Sequence, residues 1–294
     1  MQTELLTWLT DVAPEHEWQW ATIHKGCFHH VVVTDSAVAR ISCHGPQPHR
    51  LARELATLTA VTALRLPVEH PRPLSGVIDT AKHSAMLVTR VPGDERPQPE
   101  WSTVADELGG LLRDLHAIRP AASETPLPPP RSWCGGEDWP GIVTDSVLPH
   151  LPADSAAAAD TVMRDILAVE RDAPIGFVHG DFGPHNILWR SREVRSLIDF
   201  DHSCLGDPAI DVAALISFYG AGAVSAVARE EGLIERALRH RAGFTLQLAA
   251  AAVLVGDQRL FRHAVGNFTT RYRSGTLYDP DGAVPAVANG GRPV

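Results

Sequence analysis

The chain has 294 residues, of which 44% are hydrophobic, enough to bury a sizeable core in one large domain or two lobes. Residues 1–91 carry 8 acidic and 8 basic side chains, so the net charge of -9 lies in residues 92–294, which argues against a nucleic-acid partner. The four cysteines lack paired spacing, and no leader or membrane span is visible, so we expect a protein of the reducing cytoplasm with no membrane partner.

Residues 1–91 are predicted to form antiparallel strands and helices. The predicted helices cover residues 3–12 and 48–66. The predicted strands cover residues 18–24, 31–33, 37–41, 74–78 and 85–89. The first hairpin should turn at Gly26. The last strand must stop before Pro92, which cannot donate to a sheet ladder, so we place a domain boundary after residue 91 and a hinge at about residues 89–93.

Residues 92–294 are predicted to be mainly helical. The predicted helices cover residues 103–118, 156–169, 223–231, 233–255 and 257–273. Another helix should begin at Asp207-Pro208, because Asp is a preferred N-cap and Pro a preferred first helical residue. The proline- and glycine-rich residues 119–136 form a long loop, a feature that is usually functional or disordered. The tail from residue 280 should be frayed.

The motif with the clearest chemical meaning is the loop His179-Gly180-Asp181-Phe182-Gly183-Pro184-His185-Asn186, followed by Asp199. The apolar residues 177–178, 187–189 and 194–198 read as short buried strands of one small sheet, with the polar residues on its turns. Asp and Asn are common in turns, so each residue alone is weak evidence. Their conjunction matches the spacing of a kinase catalytic loop and its later metal-binding aspartate.

This spacing predicts a phosphoryl-transfer site. Asp181 can orient a hydroxyl and accept its proton, and the oxygens of Asn186 and Asp199 are hard ligands of the kind that Mg²⁺ prefers. His179 is expected to support the loop. Asp211 falls among apolar neighbours and needs hydrogen-bond donors, which the backbone of the loop can supply.

The phosphates of ATP or GTP would lie under the hairpin that turns at Gly26. Arg40 would point inward from the third strand and contact them. We expect Glu54 to pair with Arg40 in a buried ion pair, since a phosphate-binding cation needs a fixed partner. The alternative is an exposed Glu54 paired with Arg50, one helical turn earlier. Lys25 is a competing phosphate-binding cation.

The adenine edge would meet the backbone at the end of the last predicted strand. Groups around Thr89 and Val91 should be free to form hydrogen bonds there, because the ladder ends at Pro92.

Three motifs together resemble the aminoglycoside phosphotransferase family. They are His179-Gly180-Asp181 with Asn186, Ile198-Asp199-Phe200-Asp201, and Gly206-Asp207-Pro208 with Asp211. The resemblance covers about residues 20–275 and implies an α+β, two-lobed protein-kinase-like fold. Residues 1–91 would be the nucleotide-binding lobe and residues 92–294 the helical lobe with the substrate cleft. It also implies that Asp181 is the catalytic base and that Asn186 and Asp199 bind Mg²⁺.

A narrower resemblance joins residues 24–32 and Phe244-Thr245-Leu246-Gln247 to the viomycin and capreomycin phosphotransferases, which modify cyclic peptide antibiotics. Two departures are visible. Arg40 stands where many relatives have Lys, which replaces a point charge with a rigid fork. His185 belongs to Gly183-Pro184-His185, which replaces the commoner His-Pro-Gly order, so His185 either contacts substrate or fills a turn.

The expected acceptor is a hydroxyl of a polycationic antibiotic such as capreomycin or viomycin, because the acceptor must lie over the loop in the acidic lobe. The candidate substrate-binding residues are His185, Asp201, Glu137, Asp138, Glu230 and Glu231. For the last four, a role in solubility is the alternative. An aminoglycoside, macrolide or metabolic kinase of the same fold remains open. A catalytically silent binding protein would not need Asp181, Asn186 and Asp199 together.

Overall fold

The computed structural model describes residues 2–119, 127–228 and 230–282. The chain folds into a lobe built on an antiparallel sheet and a second, mainly helical lobe, so the α+β, two-lobed fold is confirmed. Part of the long predicted loop, residues 120–126, and the predicted tail beyond residue 282 lie outside the described residues. Among the residues that are described, no helix is both long and apolar enough to cross a membrane.

The N-terminal lobe places one face of its sheet against helix α1. Its elements are α1 (Gln2–Val12), β1 (Thr22–Lys25), β2 (His29–Val33), β3 (Ala37–Ser42), α2 (Pro48–Ala63), β4 (Ile78–Asp79) and β5 (Ser84–Thr89). The strands pair antiparallel in the order β1-β2-β3-β5-β4. Ala39 and Ile41 of β3 are buried against α1 and Trp18. Because side chains alternate along a strand, Arg40 between them faces the opposite side of the sheet.

The C-terminal lobe packs its helices around two apolar cores. Its elements are β6 (Asp94–Glu95), α3 (Ala105–His116), α4 (Trp139–Ile142), α5 (Ala153–Glu170), β7 (Gly176–Val178), β8 (Ile187–Arg190), β9 (Glu193–Leu197), β10 (Cys204–Gly206), α6 (Ala209–Val224), α7 (Leu233–Val255) and α8 (Gln258–Arg273). One core lies between α3, α6 and the short strands, with Phe177, Phe182 and Leu215 at its centre. The other joins α5, α7 and α8 around Trp139 and Phe268.

The expectation of one small sheet around the catalytic loop is wrong. β7 pairs with β10, whereas β8 pairs with β9 and with β6. The loop of residues 179–186 therefore leaves one sheet and enters another. Asp199 lies on the return path between them, after β9 and before β10.

Several element boundaries also differ from the predictions. Residues Trp18–Trp20 form a helical turn rather than a strand, because the buried Trp18 indole donates to the carbonyl of Ala13 at 2.7 Å. Of the strand predicted at residues 74–78, only Ile78–Asp79 is present. The helix predicted at residues 223–231 is absent from its described part, where only residues 223–224 are helical, as the end of α6. α6 begins at Ala209, whose N–H donates to the Asp207 carboxylate at 3.0 Å.

Candidate active site

A cleft of about 1040 Å³ brings residues of both lobes together. The following predicted site residues line it: Gly26, Arg40, Thr89, Val91, Asp181, His185, Asn186, Asp199 and Asp201. Glu54, His179 and Asp211 are buried behind it. Glu137, Asp138, Glu230 and Glu231 do not line it, and Glu230 instead pairs with Arg236 at 2.9 Å.

The start of the loop of residues 179–186 is fixed by a buried carboxylate. Asp211 of α6 is fully buried and accepts hydrogen bonds from the N–H groups of His179 (3.0 Å) and Gly180 (2.8 Å). His116, at the end of α3, lies 3.1 Å from the same carboxylate. Gly180 has a φ of +87°, and a β carbon there would collide with the carbonyl oxygen of His202. Only glycine fits this position, so the loop leaves β7 in one defined direction.

His179 links the loop to the strand before Asp199. The Asp181 N–H donates to its Nδ1 (3.3 Å), so its Nε2 carries the hydrogen that reaches the Ile198 carbonyl oxygen at 3.0 Å. The Ile198 N–H in turn donates to the carbonyl oxygen of Asn186 at 3.0 Å. These bonds hold the two ends of the motif, Asp181 and Asp199, on adjoining segments.

The Asp181 carboxylate faces the cleft and is held by two neighbours. The Asn186 amide donates to its Oδ2 at 2.9 Å, and the His185 Nε2 lies 3.3 Å from the same oxygen. The side chain is 37% exposed, so an incoming hydroxyl can reach it. Burial opposes ionisation of Asp181, but the hydrogen bond from His185 and the nearby imidazoles of His202 and His185 outweigh it and lower its pKa. Asp181 is therefore an ionised hydrogen-bond acceptor.

Asp199 adopts a backbone conformation that is rare outside glycine, with a φ of +63°. Such strain persists where the surrounding structure fixes it, typically at functional sites. Its side chain is 45% exposed toward the cleft. Burial opposes ionisation of Asp199, but the positive charge of Arg40 outweighs it and lowers its pKa.

The donor set fits a magnesium ion. Asn186 uses its amide nitrogen for Asp181, which leaves its Oδ1, and the Asp199 carboxylate is anionic and open to the cleft. Both groups offer the hard oxygen ligands that Mg²⁺ prefers.

The predicted ion pair between Arg40 and Glu54 is wrong. Both Nη atoms of Arg40 lie 3.2 Å from Oδ1 of Asp199, and its Nη2 also donates to Asp201. Glu54 instead accepts from the Nε of Arg50 at 2.7 Å. That partner was the alternative, but the pair is buried rather than exposed. Arg50 is covered by the ring of Phe28, whose centroid lies 3.8 Å from the guanidinium carbon.

Asp201 belongs to the surroundings of Arg40. Its side chain is only 10% exposed and its carboxylate contacts the guanidinium. Burial raises the pKa of Asp201 well above its usual value, and the neighbouring carboxylates of Glu54 and Asp199 act in the same direction. The positive charge of Arg40 acts against this rise and favours the ionised form of Asp201.

Among residues 89–93, the Val91 N–H is a backbone donor that is open to a ligand. The Thr89 N–H donates to the Arg72 carbonyl (2.9 Å) and the Arg90 N–H to the Ser36 carbonyl (3.0 Å), so the expectation of a free amide is wrong for Thr89. Within the described residues, the Val91 N–H has no backbone partner. The side chain of Val88 lines the cleft at this position, giving it an apolar wall beside the open amide.

Sequence reasoning missed the wall opposite the hinge. Trp133, from the segment between α3 and α4, stacks on His202 with ring centroids 3.9 Å apart and planes 17° apart. Phe244 and Gln247 of α7 line the same cleft, and Gln247 is only 7% exposed. Burial lowers the pKa of His202, and the Asp181 and Asp199 carboxylates act in the opposite direction. The family resemblance drew attention to Phe244 and Gln247, but no local pattern connects Trp133 to the site.

Known proteins resemble this chain in sequence. The model of the phosphotransferase enzyme family matches residues 28–244. Viomycin phosphotransferase from Streptomyces vinaceus is 28% identical over 261 residues, which is 80% of this chain and 88% of that protein. Homoserine kinase from Gluconobacter oxydans is 30% identical over 159 residues, which is 50% of this chain and 48% of that protein.

Solved structures share the fold at lower identity. The GDP and kanamycin complex of APH(2")-IIIa aligns with a TM-score of 0.72 and 17% identity, over 92% of this chain and 99% of the other. Macrolide 2'-phosphotransferase MphH from Brachybacterium faecium aligns with a TM-score of 0.61 and 16% identity, over 90% and 97% of the two chains. Because the family model spans most of its length, this chain belongs to the phosphotransferase enzyme family and is a phosphotransferase with a protein-kinase-like fold.

Proposed function

We propose that this protein transfers the γ-phosphate of ATP or GTP to a hydroxyl of a polycationic peptide antibiotic of the viomycin and capreomycin group. The observation that carries the proposal is the Asp181 carboxylate, ionised and open to a cleft that also contains Asn186, Asp199 and Arg40. A base, two oxygen ligands and a cation are the groups that phosphoryl transfer requires.

Asp181 would accept a hydrogen bond from the acceptor hydroxyl and take up its proton during transfer. Its lowered pKa makes it a weak base, which suits a reaction in which the proton leaves late and positioning dominates. Asn186 and His185 restrict the carboxylate to one orientation. Asn186 and Asp199 would hold Mg²⁺, which supplies neutralisation of phosphate charge when bound. Arg40 would contact the phosphates from β3.

The nucleotide would lie beneath the sheet of the N-terminal lobe. The Val91 N–H is available to an adenine or guanine edge, and the apolar side chains of Val31, Val88 and Ile198 line the cleft around it. Gly26 turns the β1–β2 hairpin with its N–H bonded to the His29 carbonyl at 2.8 Å and has no side chain of its own, while Cys27 and Phe28 of the same turn line the cleft. This arrangement does not separate ATP from GTP.

The acceptor would lie against the catalytic loop and α7. Trp133, stacked on His202, offers a flat aromatic face, and Gln247 offers a buried amide. A peptide presents planar amide groups that can stack on the ring and hydrogen-bond the amide. Asp181 and Asp199 supply the negative charge that a cation seeks. The similarity to viomycin phosphotransferase over most of both chains supports the same substrate class.

An acceptor panel tests the proposal. The protein would be incubated with radiolabelled ATP or GTP and with viomycin, capreomycin, kanamycin, hygromycin, erythromycin or homoserine, and the products separated. We expect labelled viomycin or capreomycin, with the other compounds near background. Label on homoserine would assign a metabolic kinase, in line with the shorter match to homoserine kinases. Label on none of them would contradict the proposed substrate class.

Two further measurements test the acceptor face. Raising NaCl about tenfold shortens the Debye length about threefold, so the KM of a polycationic acceptor should rise steeply while that of a neutral one stays nearly constant. Trp133→Leu should raise the acceptor KM and leave the nucleotide KM unchanged. Trp101→Leu is the control, because Trp101 packs on Tyr219 and does not line the cleft. Equal effects of the two substitutions would remove Trp133 from the acceptor site.

A further inference from the structure

The buried Glu54 is separated from Arg40 by a histidine. The His29 Nε2 lies 2.9 Å from Oε2 of Glu54, and its Nδ1 lies 3.3 Å from Nη2 of Arg40. Within the described residues, His29 Nε2 and Glu54 Oε2 are buried and neither has a hydrogen-bond partner, although the two atoms are close enough for an ionic contact. Each of these atoms is therefore the available partner of the other.

The chemistry of the three groups fixes the tautomer of His29. A guanidinium only donates hydrogen bonds, so Nδ1 of His29 must accept from Arg40. Its Nε2 then carries the hydrogen, with the Glu54 carboxylate 2.9 Å away, and the ring is neutral. The burial that lowers the pKa of His29 agrees with this state.

We propose that His29 is a positioning residue that connects α2 to the phosphate-binding cation through the series Glu54–His29–Arg40, which we call the histidine relay. In this chain the relay would replace a direct carboxylate–cation pair. Arg50 holds the Glu54 carboxylate in place on α2. His29 contacts this carboxylate on one side and Nη2 of Arg40 on the other, and so positions the guanidinium relative to α2. Asp201 holds the guanidinium from the other side. The inference rests on the proposed role of Arg40 in phosphate binding.

A metal ion at this place is the competing explanation. Ligand atoms of His29, Glu54 and Asp201 lie within 4.8 Å of one another, a spacing that a metal could use. The Arg40 guanidinium, however, contacts both His29 and Asp201. These contacts already engage Nδ1 of His29 and the Asp201 carboxylate, so two of the three groups have a partner without a metal.

The test compares nucleotide binding in three variants of β2. His29→Met removes both ring nitrogens, and we expect the ATP or GTP dissociation constant to rise about tenfold, the effect of losing one buried hydrogen bond to a charged group. His29→Gln retains one acceptor and one donor on a single planar amide and should recover part of the affinity. His30→Met is the matched control, because the adjacent side chain points to the other face of the strand and does not line the cleft.

Calorimetry of nucleotide binding needs no acceptor, so the relay can be tested even if the antibiotic assignment fails. We expect His29→Met and Glu54→Gln to be strongly non-additive in nucleotide affinity, because both interrupt one series of contacts. Thermal unfolding should show similar losses for His29→Met and His30→Met. If His29→Met unfolded at a lower temperature but bound nucleotide as tightly as the wild type, His29 would have only a structural role. Tight binding of Zn²⁺ to the wild type that disappears in His29→Gln would overturn the relay in favour of a metal site.

Discussion

Asp211 offers the sharpest test of how the catalytic loop is held. Its fully buried carboxylate accepts from the N–H groups of His179 and Gly180 and contacts the His116 ring. Asp211→Ala would leave these buried donors without a partner, at about 1–3 kcal/mol each. For the two backbone N–H groups together we therefore expect the free energy of unfolding to fall by roughly 2–6 kcal/mol, above the effect of an average substitution.

The same substitution should impair turnover. The loop that it releases carries Asp181 two residues after His179, and a misplacement on the order of 1 Å can cost about 10²-fold in rate. Asp211→Asn keeps one acceptor oxygen, but its NH₂ group faces a backbone donor, so it should lose about half as much stability. It also serves as the readout if Asp211→Ala does not fold.

Urea denaturation followed by circular dichroism measures these changes. Asp160→Ala is the matched control, because Asp160 forms an exposed pair with Arg164 one turn away, at 2.8 Å. Such surface pairs contribute only about 0.3–0.5 kcal/mol. If Asp211→Ala destabilised the protein no more than Asp160→Ala, the three contacts of Asp211 would not be what fixes the loop.

Three further comparisons probe the other polar groups of the site. The pKa of Glu54 is lowered to about 2 in the folded protein, because the contact with His29 and the positive charges of Arg40 and Arg50 together outweigh its burial. The ionised Glu54 contributes roughly 3 kcal/mol to the free energy of unfolding above its unfolded pKa of about 4.3, and this contribution is lost as the pH falls toward 2. The difference in stability between wild type and Glu54→Gln should therefore become smaller in acid. A difference that does not change with pH would contradict this reasoning. Arg40→Ala should weaken nucleotide binding more than Lys25→Ala in calorimetry, and the reverse order would make Lys25 the phosphate-binding cation. Asp199→Ala should weaken Mg²⁺-dependent nucleotide binding more than Asn186→Ala, because it removes a charge as well as a ligand. If the wild type bound nucleotide equally well with Mg²⁺ and with EDTA, neither residue would be a metal ligand.

The sequence predicts those parts of the site whose signals are local. The spacing from Asp181 to Asn186 depends on one loop, and these side chains meet at 2.9 Å as a loop of that length allows. Alternation along β3 is likewise local, and it directs Arg40 to the cleft. The long apolar repeats of α7 and α8 give helix bounds within a residue of those observed.

Pairings between distant segments could not be predicted. The pattern of residues 177–178 identifies a buried strand, but nothing in it selects β10 rather than β8 as the partner. The choice depends on where the chain returns after Asp199. Trp133 and His202 are a similar case, since their stacking depends on the path of a long insertion.

The partner of Arg40 illustrates a different limit. Three carboxylates lie close enough to Arg40 to raise its pKa, those of Glu54, Asp199 and Asp201. Sequence spacing favours one of these carboxylates only by analogy. Which of them Arg40 contacts depends on distances of about one side-chain length in the folded chain. His29 takes the place beside Glu54 that the sequence assigned to Arg40, and nothing in the alternation of β2 distinguishes a linking histidine from a buried one.

The most direct test of the central claim is the rate of phosphoryl transfer by Asp181→Asn. The amide keeps the size of the side chain and its contact with Asn186 but cannot accept the hydroxyl proton. We expect kcat for viomycin or capreomycin to fall by about 10²–10⁴, the range of a positioned base, with the nucleotide dissociation constant and the unfolding midpoint nearly unchanged. If Asp181→Asn kept about a tenth or more of the wild-type turnover, the assignment of Asp181 as the catalytic base would be contradicted.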